Sequence, residues 1–417
     1  MVSSPPRFTL QNVIDNAPDA FWGASGIPSA KLGVLRNIRD CGTGRFGWTE
    51  MACGDCETLS IKTRGCHDRN CPMCLGKQGR EWLARQEAKL LPTPYFHVVF
   101  TLPPQLRPLA LACPRIVYGA LMTAAKDALL HLFGDRGDDS AIPAILAVLH
   151  TWNQRLEHHP HVHLVVSGGA YQPQTDTWVA CPNPEWLVEG KVLADLFRDI
   201  LMTRLDVLWR TGAFRRERSA VLDLADLQAW DDLYWPLREA RFNVFIKPPF
   251  GGPRQVLRYL ARYTHRTALS NRRLVRVTDT RVAFTYKNRK AGTRHVRDMD
   301  LWGFLRLYAV HIPPKGFKRI RGAGLLSGNA NAKWALAKAA ALRHHNGVVP
   351  GGETEEPELD PPKPPPPACC AHCGSERLTA IASYLPHARG GFKRVELALP
   401  EPKPPPDLPN APDQEAL

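Results

Sequence analysis

The chain has 417 residues, enough for two or three domains, each with its own core. Its 54 Lys and Arg against 40 Asp and Glu give a formal charge of +14, which favours a polyanionic partner, most often nucleic acid. No apolar run reaches the roughly 18 residues of a membrane span, and the start "MVSSPPRFTLQNVIDNAPDA" has no signal-peptide pattern, so a membrane partner is excluded and a cytoplasmic location is expected.

In a reducing compartment the 11 cysteines read as metal ligands or free thiols, not disulfides. After an extension over 1–40, six of them (Cys41, Cys53, Cys56, Cys66, Cys71 and Cys74) crowd into a small segment, 41–90. "CGDC" and "CPMC" form two C-x2-C turns, each bringing two thiolates to one side. The spacing therefore predicts one closed, structural Zn2+ site on Cys53, Cys56, Cys71 and Cys74. Cys41, Cys66 and His67 are left over, with a replacement ligand, a second partial site and plain structural roles all open. Lys62, Arg64, Arg69 and Lys77 stand among the ligands and suit DNA phosphate. So few apolar residues imply a domain that needs its metal to fold.

"GKQGREWLARQEAKLL" reads as a helix ending at Pro92, and "YFHVVFTLPP" as a strand. Residues 114–133 have helical spacing, "AIPAILAVLHTWNQ" reads as a short connector, and "HVHLVVSGG" reads as a strand ended by its glycines. Helices dominate 185–240. A strand ("RFNVFIKPPFGGP"), a helix ("RQVLRYLARYTHRTAL") and a hairpin ("RRLVRVTDTRVAFTYKNRKAG") follow. Strands mixed with helices in this order predict an α+β domain over 91–325. Residues 326–417 read as a helix followed by Pro-dense text, such as "EEPELDPPKPPPPACC", that builds no core.

Two constellations carry chemistry. On a strand, His161 and His163 point to the same face while Val162 and Leu164 point to the core, so the imidazole pair can grip one divalent ion. Gln154 is a candidate third ligand if the chain folds back, with His158 and His159 as competitors. On a helix, Tyr259 and Tyr263 are four residues apart on one face, with Arg258, Arg262 and Arg266 in a row beside them. A tyrosine titrating near 10 needs a cation or an activated electrophile to act as a nucleophile, and a metal-held phosphate supplies the second. "KGFKRIRG" groups Lys315, Lys318, Arg319 and Arg321 around Phe317, a mix that suits phosphate contact and base stacking, or a plain surface face.

"FHVVFTLPPQLR", "TWNQRLEHHPHVHLVVSGG", "IKPPFGGPRQVLRYLARYTHR" and "HIPPKGFKRIRGAGLL", in that order after a cysteine-rich start, resemble the two-tyrosine rolling-circle transposases of the IS91 type. The likeness runs from about Cys41 to Leu326. The resemblance implies an antiparallel-sheet nuclease domain of the His-hydrophobic-His class with helical insertions, preceded by a zinc domain. It maps the metal-binding histidines onto His161 and His163 and the nucleophiles onto Tyr259 and Tyr263. The zinc pairs fall on Cys53, Cys56, Cys71 and Cys74, and Gln154 is the inferred third ligand. The implied reaction uses Mg2+ or Mn2+ and forms 5′-phosphotyrosine links with single-stranded DNA at element ends and target. The work would be done at the nucleoid of a bacterial cell. Lys247, Arg258, Arg262 and Arg266 are candidate phosphate contacts. Asn70 departs from the pattern, which has a His there, and "CCAHCG" offers in Cys370 and Cys373 at most half a zinc site. The rivals are a relaxase or replication initiator, and a non-enzymatic zinc protein that binds DNA. The cysteine domain and "PPFGGP" argue against the first, and retention of both His and both Tyr argues against the second.

Overall fold

The computed structural model describes residues 7–134, 141–183, 185–216, 226–249, 267–288, 291–347, 369–388 and 390–397. Its described strands, in chain order, are β1 (Trp48–Cys53), β2 (Leu59–Thr63), β3 (Tyr95–Thr101), β4 (Ile142–Trp152), β5 (His158–Gln172) and β6 (Thr177–Ala180). Then come β7 (Asn243–Lys247), β8 (Leu274–Val277), β9 (Arg281–Lys287), β10 (Arg294–Asp300), β11 (Ile320–Gly324), β12 (Leu378–Pro386) and β13 (Phe392–Glu396). The chain divides into two units, one from 1–39 and 67–361, the other from 40–66 and 362–417.

The first unit is built on an antiparallel sheet of order β11-β4-β5-β3-β7, with β6 added beside the far end of β5. Alternation along its strands decides the two faces. Phe96, Val98 and Phe100 of β3 bury one face together with Ile145, Ala147 and Leu149 of β4 and Val162, Leu164 and Val166 of β5. Helices Pro114–Gly134 and Gly190–Arg210 cover that face through Leu121, Ala125, Leu129, Phe197 and Leu201. Fully burying each large aliphatic or aromatic side chain contributes roughly 1.5–3 kcal/mol. Helix Pro114–Gly134 has the length and apolarity of a membrane span, but its buried residues belong to this sheet–helix core. On the opposite face Leu146, Val165 and Tyr95 pack with Trp82 and with Ala337, Ala340 and Ala341 of helix Asn331–His344. The other end of that face is left to histidines.

Two local expectations are corrected. The segment read as a connector is the eleven-residue strand β4, buried on both faces, so its apolar run carries no period-2 signal. The strand read as ending at Gly168 and Gly169 runs through them to Gln172. These glycines allow close approach rather than termination. A β-carbon on Gly169 would stand 2.6 Å from the Trp178 indole nitrogen, and one on Gly168 3.1 Å from the Pro94 carbonyl. The expected β8–β9 hairpin forms and gains β10 as a third strand.

The second unit is a four-stranded antiparallel sheet of order β13-β12-β1-β2. Trp48 stacks on Tyr384 at 5.0 Å and meets Phe392 at 4.6 Å, but Cys53, Ala382 and Ser383 are the only strand positions of this sheet that are buried. The region read as a helix with a Pro-rich tail thus also holds a hairpin, β12–β13. Its alternation is too weak to register beside the proline tracts.

Candidate functional site

The β4–β5 hairpin sets the site. Its turn is closed by Asn153, whose side-chain oxygen accepts from the amides of Arg155 (2.9 Å) and Glu157 (3.0 Å). Leu156 takes the left-handed conformation there, at φ 64°. The resulting register puts His150 directly opposite His161 and Val148 opposite His163. His150, His161 and His163 converge, each offering a ring nitrogen within 4.8 Å of the other two. Ring centroids are 4.6 Å apart for His150–His163, 4.9 Å for His161–His163 and 5.4 Å for His150–His161.

Two of these imidazoles are oriented through their Nδ1 atoms. His161 Nδ1 lies 2.7 Å from the His159 carbonyl, which can only accept, so Nδ1 carries the proton and Nε2 offers the lone pair. His163 Nδ1 lies 2.9 Å from His97 Nε2 on β3. The two rings are 4° from coplanar with centroids 5.1 Å apart, the geometry of an in-plane bond between ring nitrogens. Burial, with Lys247 adding a smaller effect, lowers the His97 pKa to about 4, so this ring is neutral near pH 7 and can accept.

The trio opens into a cleft of about 560 Å³ shared with Trp152, Gln154, Phe245, Tyr286 and Lys287. Phe245 is exposed, and Arg155 lies over the Tyr286 ring. Gln154 sits on the hairpin turn at the edge of this cleft, where its carbonyl accepts from Arg273.

His158 and His159 have structural partners. His158 Nε2 meets the Tyr118 hydroxyl at 2.8 Å, and Arg107 donates to His159 Nδ1 at 2.9 Å. His311 donates from Nε2 to the Leu156 carbonyl (2.8 Å) and accepts at Nδ1 from Thr151 (3.1 Å), a fully assigned neutral tautomer. Burial lowers His311 to about 4 and, with His311, Arg107, Lys31 and His159 nearby, lowers His158 to about 3. Both are bases depressed by folding, so the unfolded chain binds protons that the folded chain refuses. Stability is therefore expected to fall as pH drops from about 6.5 towards 4, by on the order of 2 kcal/mol at pH 5 for His311 alone. Urea unfolding at pH 7 and pH 5 checks this. A His311→Asn variant as acid-sensitive as the wild type would refute it.

The other expected site residues fall as follows. Tyr259, Tyr263, Arg258, Arg262 and Arg266 lie outside the described residues. Lys247 ends β7, in register with His97. Lys315 and Lys318 are exposed. Arg319 is enclosed: burial, then Arg69, pulls its guanidinium down to about 10, and it donates to the Arg69 carbonyl at 3.3 Å. Arg321 is half-buried over the ring of Phe317. Phe317 itself is part of the sheet–helix core, so it is not available for base stacking. Asn70 is buried and its carbonyl accepts from the Tyr308 hydroxyl at 2.9 Å. The cysteine quartet is divided. Cys53 and Cys56 gather with Cys370 and Cys373 in the second unit, whereas Cys71 and Cys74 belong to the first, at the start of helix Leu75–Glu87. The reason is strand pairing: β1, which ends at Cys53, has β12 as its neighbour.

Residues 144–333 match the family described as "Putative transposase", and residues 13–102 match the family described as "Transposase zinc-binding domain", of the IS91 type. A "Putative transposase y4qJ" of Sinorhizobium fredii is 38% identical over 335 residues, covering 80% of this chain and 83% of the relative. The chain belongs to the IS91-type transposases. The "Transposase for insertion sequence element IS801" of Pseudomonas savastanoi pv. phaseolicola is 26% identical over 76% of this chain and 75% of its own length. No solved structure matches the transposase. Membership makes DNA its partner and a structural zinc its cofactor, and His150, His161 and His163 all lie inside the segment matched as transposase.

Proposed function

We propose that this transposase cuts and rejoins single-stranded DNA at element ends by a rolling-circle route, through 5′-phosphotyrosine links on Tyr259 and Tyr263, in the bacterial cytoplasm at the nucleoid. The observation that carries the proposal is the convergence of His150, His161 and His163 in a cleft lined by an exposed aromatic and a lysine. His161, His163 and His150 would hold Mg2+ or Mn2+, with His150 in the place first given to Gln154. When bound, the ion draws charge from the scissile phosphate.

One tyrosine Oη forms a bond to phosphorus and the bond from phosphorus to the 3′ oxygen breaks. The tyrosine proton passes to solvent, and the leaving oxygen takes up a proton to become a free 3′-OH. Attack by a later 3′-OH expels the tyrosine and restores the phosphodiester without an outside energy source. The second tyrosine permits a second cut while the first link is intact. Lys247 and Lys287 suit the flanking phosphates, and Phe245 offers a face for a base.

The test incubates full-length protein with single-stranded oligonucleotides from the element's ends and Mn2+, followed by a denaturing gel. A covalent adduct is expected. It should vanish in the Tyr259→Phe, Tyr263→Phe double variant and persist in Tyr286→Phe, since Tyr286 is the cleft-lining tyrosine among the described residues. Absence of any adduct with wild type, or an undiminished one in the double variant, rejects the reading.

A further inference from the structure

We infer that Cys53, Cys56, Cys370 and Cys373 form one structural zinc site, so that the metal-binding unit is assembled from two segments more than three hundred residues apart. Cys53 Sγ lies 3.6 Å from Cys373 Sγ, and Cys56 Sγ lies 3.6 Å from Cys370 Sγ. All four sulfurs are within 4.8 Å of one another. A tetrahedral zinc with bonds of about 2.3 Å sets its sulfurs roughly 3.8 Å apart, so this donor set fits. A disulfide needs about 2.05 Å, which neither pair approaches.

The backbone gives an independent reason. In the first turn the Cys53 amide donates to the Thr58 carbonyl (3.1 Å), and the Glu57 amide donates to the Cys53 carbonyl (3.0 Å). In the second turn the Cys370 amide donates to the Ser375 carbonyl (2.7 Å), and the Gly374 amide to the Cys370 carbonyl (2.8 Å). The two turns thus repeat the same pair of bonds at the same offsets. Each also puts the residue four after its first cysteine in the left-handed region, Glu57 at φ 56° and Gly374 at φ 76°. The C-x2-C at Cys71–Cys74 differs, since it runs directly into a helix. The knuckles are held face to face: β1 pairs with β12 up to Cys53 opposite Leu378, and the Gly54 amide donates to the Arg377 carbonyl at 2.7 Å. With so little apolar burial around this sheet, metal binding supplies folding energy that a core otherwise would.

Two readouts on the full-length chain test the assignment, and neither involves DNA, so they stand or fall apart from the cleavage chemistry. In zinc-loaded wild type, N-ethylmaleimide is expected to label exposed Cys369 and spare Cys53, Cys56, Cys370 and Cys373, with a zinc chelator releasing all four together. Cys373 is itself exposed, so its protection would come from the metal rather than from burial. In metal analysis, Cys370→Ser, Cys373→Ser should lose one zinc per chain. So should Cys53→Ser, Cys56→Ser, and the quadruple variant should lose no more. Labelling of Cys370 and Cys373 at the Cys369 rate, or an unchanged zinc content in the Cys370→Ser, Cys373→Ser variant, overturns the assignment.

Discussion

His150→Ala should lower metal-dependent strand cleavage by at least about a hundredfold, while Gln154→Ala should leave it within about threefold. The two residues differ in what holds them. His150 is buried in the middle of the sheet, paired across the strands with His161, and its ring meets His161 and His163. Gln154 sits on the hairpin turn, with its backbone rather than its side chain engaged by Arg273. Losing one of three ligands leaves two imidazoles and a much weaker hold on the ion. Initial rates of adduct formation across a Mn2+ titration measure the effect. His150→Gln, which keeps a polar side chain in the sheet, and a thermal melt separate lost metal from lost fold. Equal losses for both alanine variants, or the larger loss at Gln154, would return the third ligand to the turn.

His97 is the second position with a large expected effect, although it would touch neither metal nor DNA. For His163 to offer Nε2 its Nδ1 must carry the proton, and His97 Nε2 is the atom that receives it. Replacing His97 with leucine removes the acceptor but keeps an apolar filling in the sheet. Metal affinity is expected to fall about 10- to 100-fold. His97→Gln retains an acceptor oxygen and should recover part of that loss. Binding of Mn2+ followed by its electron spin resonance measures this without any DNA. Wild-type affinity in the leucine variant would show that His163 needs no such partner.

Much of the site could be read from the chain, and the gaps have physical causes. His161 and His163 were legible because a half-buried strand alternates, with Val162 and Leu164 marking the opposite face. His150 was not, because β4 is buried on both faces and its text, "AILAVLH", lacks the alternation that would declare a strand. Counting back across the Asn153–Glu157 turn from His161 would have found it, had that segment been read as half of a hairpin. His97 lay in plain view in "YFHVVFT", but its role depends on which strand lies alongside. The cysteines teach the same lesson. C-x2-C spacing identified the turns, yet which turn meets which is decided by the pairing of β1 with β12, a contact across 320 residues or more that no local pattern carries. The basic neighbours of Phe317 suggest a surface, whereas the ring fills the core and, of the cations around it, Lys315 and Lys318 reach outward.

The divided zinc unit also has a consequence in time. On the ribosome, Cys56 emerges 314 residues ahead of Cys370, and at about 5–20 residues per second that interval lasts roughly 15–60 seconds. Throughout it the first knuckle presents two thiolates without their partners, while the strands of the histidine sheet are made and can pair. The unit that needs metal therefore closes last. A chain released before Cys373 would carry a complete histidine hairpin but no finished zinc knuckle pair.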